Sequence, residues 1–145
     1  MRLDIAGHPL HPALVHFPLA LWYAAVFWDA VGWWRAEPIW SEFAYWSLAL
    51  GLLLALPAIG SGVLDFLALG PEHPGVDTAA RHMLTMLAAT AAFGASWVVR
   101  AATDPAAPSA WAISLALVGG VLLGVGGWLG GTLVYRYGAG RRIEQ

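Results

Sequence analysis

The sequence predicts an all-α membrane protein, four transmembrane helices in an up-down-up-down bundle. Three observations lead there. Hydrophobic residues fill 59% of the 145 positions and charged residues only 11%, against about 25% charge in soluble domains. Four apolar runs follow one another, each long enough for a hydrocarbon core of about 30 Å. The links between them, residues 35–41, 70–76 and 103–109, are short enough to make sequential helices antiparallel neighbours. Open strands would leave their edges unpaired in lipid. The whole chain therefore reads as one integral membrane domain, multi-pass, with nine tryptophans and four tyrosines suited to two water–lipid interfaces.

Residues 1–11 form a short lead-in that Pro9 and Pro12 bias toward extended or turn conformation. Helix 1 is expected over about 12–34, with Pro12 at a favoured first position, a kink at Pro18, and Trp33, Trp34 and Arg35 at the far interface. No basic n-region with a small-residue cleavage site precedes it, so it is expected to be retained as a span. Pro38 should stop helix 1, and Ser41 should cap helix 2, over about 42–69. Pro57, Gly60, Ser61 and Gly62 loosen its second half, where Asp65 is the one acid in an apolar stretch. Asp77 or Thr78 should cap helix 3, over about 77–102, and helix 4 covers about 110–137. Helix 4 carries Gly120/Gly124 and Gly127/Gly131 at the spacing that lets helices approach closely. No repeat of the inverted-transporter kind is evident in the sequence.

Composition excludes several function classes. Without cysteine there is no disulfide, thiolate site, iron–sulfur cluster or covalent haem attachment. A basic stripe for nucleic acid is absent, as are GxSxG, HExxH and P-loop patterns.

The chemistry-bearing residues gather instead at one membrane face. Four crossings put both termini and the second link on one side, side A. All five histidines, His8, His11, His16, His73 and His82, belong there. So do Arg2, Arg81, Arg136, Arg141 and Arg142, against Arg35 and Arg100 on side B. By the positive-inside rule side A is cytoplasmic, with both termini inside the inner membrane's cytoplasmic face.

His16 and His82, each about a turn inside the membrane on helices 1 and 3, are the pair that could face each other across a six-coordinate b-type haem. The plain alternative is two histidines bonded to backbone carbonyls or to Asp65. His8 and His11, spaced HPLHP, could join His16 around a zinc, copper or iron ion, or simply hold the lead-in against the bundle. Asp65 should pair with Arg81 or orient a ligand imidazole. Arg81 and Arg136 could meet haem propionates. Met83 and Met86 read as core filler, with axial ligation the lesser alternative.

At HPLHPALVHFPLAL, GSGVLDF, the RHM of helix 3 and the closing GGTLVYRYGAG, the chain resembles a bacterial membrane family catalogued as domain of unknown function 2231. The resemblance covers nearly the whole chain and implies a four-helix membrane domain. Some members resemble fusions to Rieske-type or cytochrome c domains, which implies electron transfer by association. The family's histidines match His8, His11, His16 and His82, and its aspartate matches Asp65. Phe66 stands where members often carry tryptophan, and the end reads GAGRR rather than staying apolar.

The first functional expectation is a b-type haem protein passing electrons between quinol, or a redox protein partner, and an acceptor. The alternatives are a non-haem metal-binding protein and a cofactor-free accessory subunit, either of them monomeric or a homo-oligomer.

Overall fold

The computed structural model describes residues 4–5 and 8–139, with side chains from Pro9 onward. Four helices dominate: α1 (Leu10–Arg35), α2 (Pro38–Leu69), α3 (Val76–Ala102) and α4 (Ala110–Tyr135). Each is long and apolar enough to span a bilayer. Ahead of α1, Asp4–Ile5 (β1) and His8–Pro9 (β2) make one short antiparallel pairing, Asp4 opposite Pro9 and Ile5 opposite His8.

Three helix starts differ from expectation for local reasons. Helix α2 begins at Pro38 rather than after Ser41. Proline's missing N–H costs nothing at a helix's first position and its φ is already helical, so Pro38 starts α2 instead of spacing it from α1. Only Ala36 and Glu37 remain between the helices. Ala36 ends α1 at a left-handed φ of 54° with its N–H donating to Gly32 O. At the other end, α1 begins at Leu10 and brings His11 into its first turn, where the prolines argued against regular helix. Gly75, not Asp77 or Thr78, precedes α3. Ser109 caps α4, accepting from Ala112 N–H at 3.3 Å.

The bundle is two helical hairpins, α1–α2 and α3–α4, and they are repeats of one another. Asp29 and Arg100 lie 71 residues apart, and that offset carries each buried position of α1 (Pro18, Trp22, Ala25, Asp29) onto a buried position of α3 (Ala89, Phe93, Ser96, Arg100). Buried Ala44, Leu48, Gly51, Ala55 and Ala58 of α2 map onto buried Ala112, Ala116, Gly119, Leu123 and Gly126 of α4, 68 residues on (112 − 44 through 126 − 58). The same offset relates Gly70 to Gly138, which follow α2 and α4 with φ of 78° and 66°, a conformation that favours glycine. Because both hairpins start on side A, the repeat is parallel, with its pseudo-two-fold axis along the bundle.

Glycines set the packing within each hairpin. A Cβ at Gly51 would stand 2.5 Å from Trp22 Nε1, and one at Gly119 would stand 3.0 Å from the Phe93 ring. These notches let the two aromatics lie against the partner helix and stack on each other at the centre, ring centroids 4.8 Å apart. The expected glycine spacing on α4 serves close packing in part. Gly120 and Gly124 face Val26 and Tyr23 of α1, whereas Gly127 and Gly131 have no neighbour within 4 Å of a built Cβ.

Candidate functional site

A cavity of about 440 Å³ opens between the two hairpins in the side A half of the bundle. Its walls are almost all apolar, and the Trp22 indole forms part of its floor. Two imidazoles line it, His11 from α1 and His82 from α3, which are equivalent positions of the repeat.

Each imidazole is fixed by the partner helix of its own hairpin. His11 Nδ1 lies 2.9 Å from Ala58 O, and His82 Nδ1 lies 2.8 Å from Gly126 O. A carbonyl can only accept, so Nδ1 carries the proton in both rings, and the neutral imidazole keeps its lone pair on Nε2. Four residues beyond each accepting carbonyl is a glycine that clears the ring. A Cβ at Gly62 would come within 2.8 Å of His11 Cε1, and one at Gly130 within 3.1 Å of His82 Cε1. Ser61 adds a second polar contact to His11, its Oγ 3.2 Å from Nδ1 and donating to Ala58 O at 2.9 Å. No hydrogen bond among the described residues involves Nε2 of His11 or His82.

The remaining candidates fall in different places. His16 lies on the outside of α1, exposed and away from the cavity, so the imidazole that joins His82 is His11. The His8 side chain lies outside the described residues, as do Arg2, Arg141 and Arg142. Asp65 lines the cavity and is half-buried, one turn nearer side A than Gly62. Neither of its expected partners is there. Arg81 is exposed, no ion pair among the described residues includes it, and both imidazole Nδ1 atoms are engaged by carbonyls. The acid sits on the cavity-facing side of α2, and Arg81 on the outer surface of α3. Arg136 is exposed at the side A end of α4, its guanidinium 5.6 Å from the Tyr137 ring centroid. Met83 and Met86 line the cavity. His73 accepts from Gly75 N–H at 3.0 Å and shapes the link between the hairpins.

Arg100, legible in the sequence only as a side B charge, joins the fully buried polar groups among the described residues. Arg100 is wholly buried and grips Asp29 with both guanidinium ends, Nη1 to Oδ1 at 2.9 Å and Nη2 to Oδ2 at 2.6 Å. Its Nε donates to Ser96 Oγ at 3.3 Å, and Ser96 donates to Ala112 O at 2.7 Å. The signal was available: Asp29 is the sole charge between Asp4 and Arg35, and Arg100 the sole charge between Arg81 and Asp104. Lone charges of opposite sign, each near the side B end of its span, must pair or leave the membrane.

Each hairpin thus presents one imidazole to the cavity, its ring fixed through Nδ1–H to a backbone carbonyl and its Nε2 lone pair left as a donor. A cavity of this size falls in the range of roughly 300–1,000 Å³ for cofactor sites. Among the described residues no three His, Asp or Glu side chains gather as a metal-binding group, where a tetrahedral zinc site takes four ligands.

Residues 7–142 match the family described as "Predicted membrane protein (DUF2231)". The chain belongs to this family. No curated protein and no solved structure matches it. The family is described as a predicted membrane protein, and this chain carries one cavity-lining imidazole on each of its two hairpins.

Proposed function

We propose that this DUF2231 protein is a small b-type haem carrier of the inner membrane, with His11 and His82 as the axial ligands. The observation that carries the reading is the equivalence of the two imidazoles, one from each hairpin, both lining one apolar cavity with Nε2 left as the donor. Haem would supply a one-electron couple there. The chain's own residues do the rest. The carbonyls of Ala58 and Gly126 hold the rings and raise their basicity. Gly62 and Gly130 leave the space the rings occupy. Trp22 bounds the inner end of the cavity, stacked on Phe93 behind it. Arg81 and Arg136, on the side A surface, would neutralise propionates.

Side A is read as the cytoplasmic face. Burial of Arg100 against Asp29 removes it from the interfacial charge of side B. There it leaves only Arg35, itself paired with Glu37 at 2.9 Å, which favours side A further under the positive-inside rule. Electrons would exchange at that face with quinol or a redox protein.

The test is absorbance of the detergent-purified protein, before and after dithionite. A Soret band with sharpened bands on reduction is expected, lost in both His11→Ala and His82→Ala and kept in His16→Ala. A colourless protein after haem-supplemented expression overturns the proposal.

A further inference from the structure

The two hairpins touch unevenly along their length. Every aromatic stack and polar bridge between them, among the described residues, lies at mid-bundle or toward side B. Trp22 stacks on Phe93, and Tyr23 OH reaches Gly120 O at 3.5 Å. Nearer side B, Tyr45 stacks on Trp97 with centroids 5.9 Å apart, and Asp29 holds Arg100. In the side A half the polar bonds of His11 and His82 stay within their own hairpins, and the cavity separates the hairpins. On side B, a second pocket of about 220 Å³ reaches inward as far as Asp29 and is bounded by Gly32, Ser41 and Ile113.

From this distribution we infer that the Trp22–Phe93 stack and the Asp29–Arg100 pair form a fixed seam. The seam seals the side A cavity from side B, and the hairpins part above it to admit what the cavity holds. This goes beyond the haem reading, because it concerns access whatever the occupant. Each hairpin moves as a unit, since its helices interlock through rings seated in the notches at Gly51, Gly62, Gly119 and Gly130. The hairpins are joined on side A by the link 70–75 between α2 and α3. No linking segment joins α1 to α4, so the parting opens between those two helices. An ion pair is a good closing element here. Its buried charges cannot separate in lipid without solvation, which makes parting them strongly unfavourable. The aromatic stack above it shields the pair from the side A cavity, and the side B pocket ends at Asp29.

The chain has no cysteine, so single cysteines report access in the otherwise native protein. Thr90→Cys probes the cavity wall close to the seam, and Phe66→Cys probes its outer part. Glu72→Cys marks side A and Ala106→Cys marks side B. A membrane-impermeant maleimide is applied to intact spheroplasts and to inside-out vesicles. Phe66→Cys should label only in the preparation that labels Glu72→Cys, and Thr90→Cys should stay silent in the preparation that labels Ala106→Cys. Adding Asp29→Asn, Arg100→Gln or Phe93→Leu should raise side B labelling of Thr90→Cys by at least about tenfold. The exchanged pair Asp29→Arg/Arg100→Asp should restore silence. Native labelling of Thr90→Cys from side B overturns the seam, and so does unchanged side B silence in the seam variants that still fold. If the two charge variants fail to fold, Phe93→Leu, which keeps the ion pair, decides. Neither result depends on a Soret band, so failure of the seam and failure of the haem reading are read separately.

Discussion

At the residue scale, two glycines with similar clearance do different work. Gly51 holds the Trp22 indole edge, a rigid group with nowhere to go. Alanine there should cost about 1–3 kcal/mol, read as a lower melting temperature in detergent. A Cβ at Gly126 would meet Met86 Sδ, the far end of a flexible side chain, so Gly126→Ala should melt close to the native protein. Gly62→Ala and Gly130→Ala push on the imidazoles themselves. They should weaken ligand binding as well as stability, measured as a loss of Soret intensity together with a lower melting temperature. The sequence made the histidines legible as a side A cluster, but not their individual orientation. His11 and His16 are five residues apart, more than a full helical turn. Five residues put the two rings about 140° apart on a helix, and the buried phase of Pro18, Trp22, Ala25 and Asp29 extends back to His11, not to His16, once α1 starts at Leu10.

Among the elements, α1 and α3 meet across the bundle at two levels, the Trp22–Phe93 stack and the Asp29–Arg100 ion pair, with His11 and His82 facing the cavity above them. The lowest level gives the clearest mutational contrast. Asp29→Ala leaves Arg100 buried without a partner and should cost about 3–5 kcal/mol, whereas Asp29→Leu with Arg100→Met should recover most of it. A thermal melt of the three proteins checks this. Helix number, order and class were plain from the four apolar runs. The ion pair was not, because each charge looked like an ordinary end-of-span residue when read alone. The repeat was hidden for a related reason. Its buried positions are kept as positions, while Trp22 answers to Phe93 and Asp29 to Arg100. In addition, the offset slips by three residues between the first and second helices of the hairpins, which breaks simple self-alignment.

For the whole molecule, an even number of crossings fixes the relation between the termini and the middle of the chain. Reporter tags before Met1, after Gln145 and between Glu72 and His73 should all read the same side of the membrane, and one between Asp104 and Pro105 the other. A split among the first three would break the four-span architecture. The apolar outer surface, with Trp33, Trp34, Trp111 and Trp128 largely uncovered, matches a body immersed in lipid with indoles toward its interfaces.

The Asp29–Arg100 contact also bears on ancestry. A single hairpin assembling with its own copy around the same axis would set two aspartates, or two arginines, face to face in hydrocarbon. Neither modern half can therefore stand in for the other. A symmetric homodimer of identical hairpins would need uncharged residues at both positions, and the acid–base pairing requires two unlike halves.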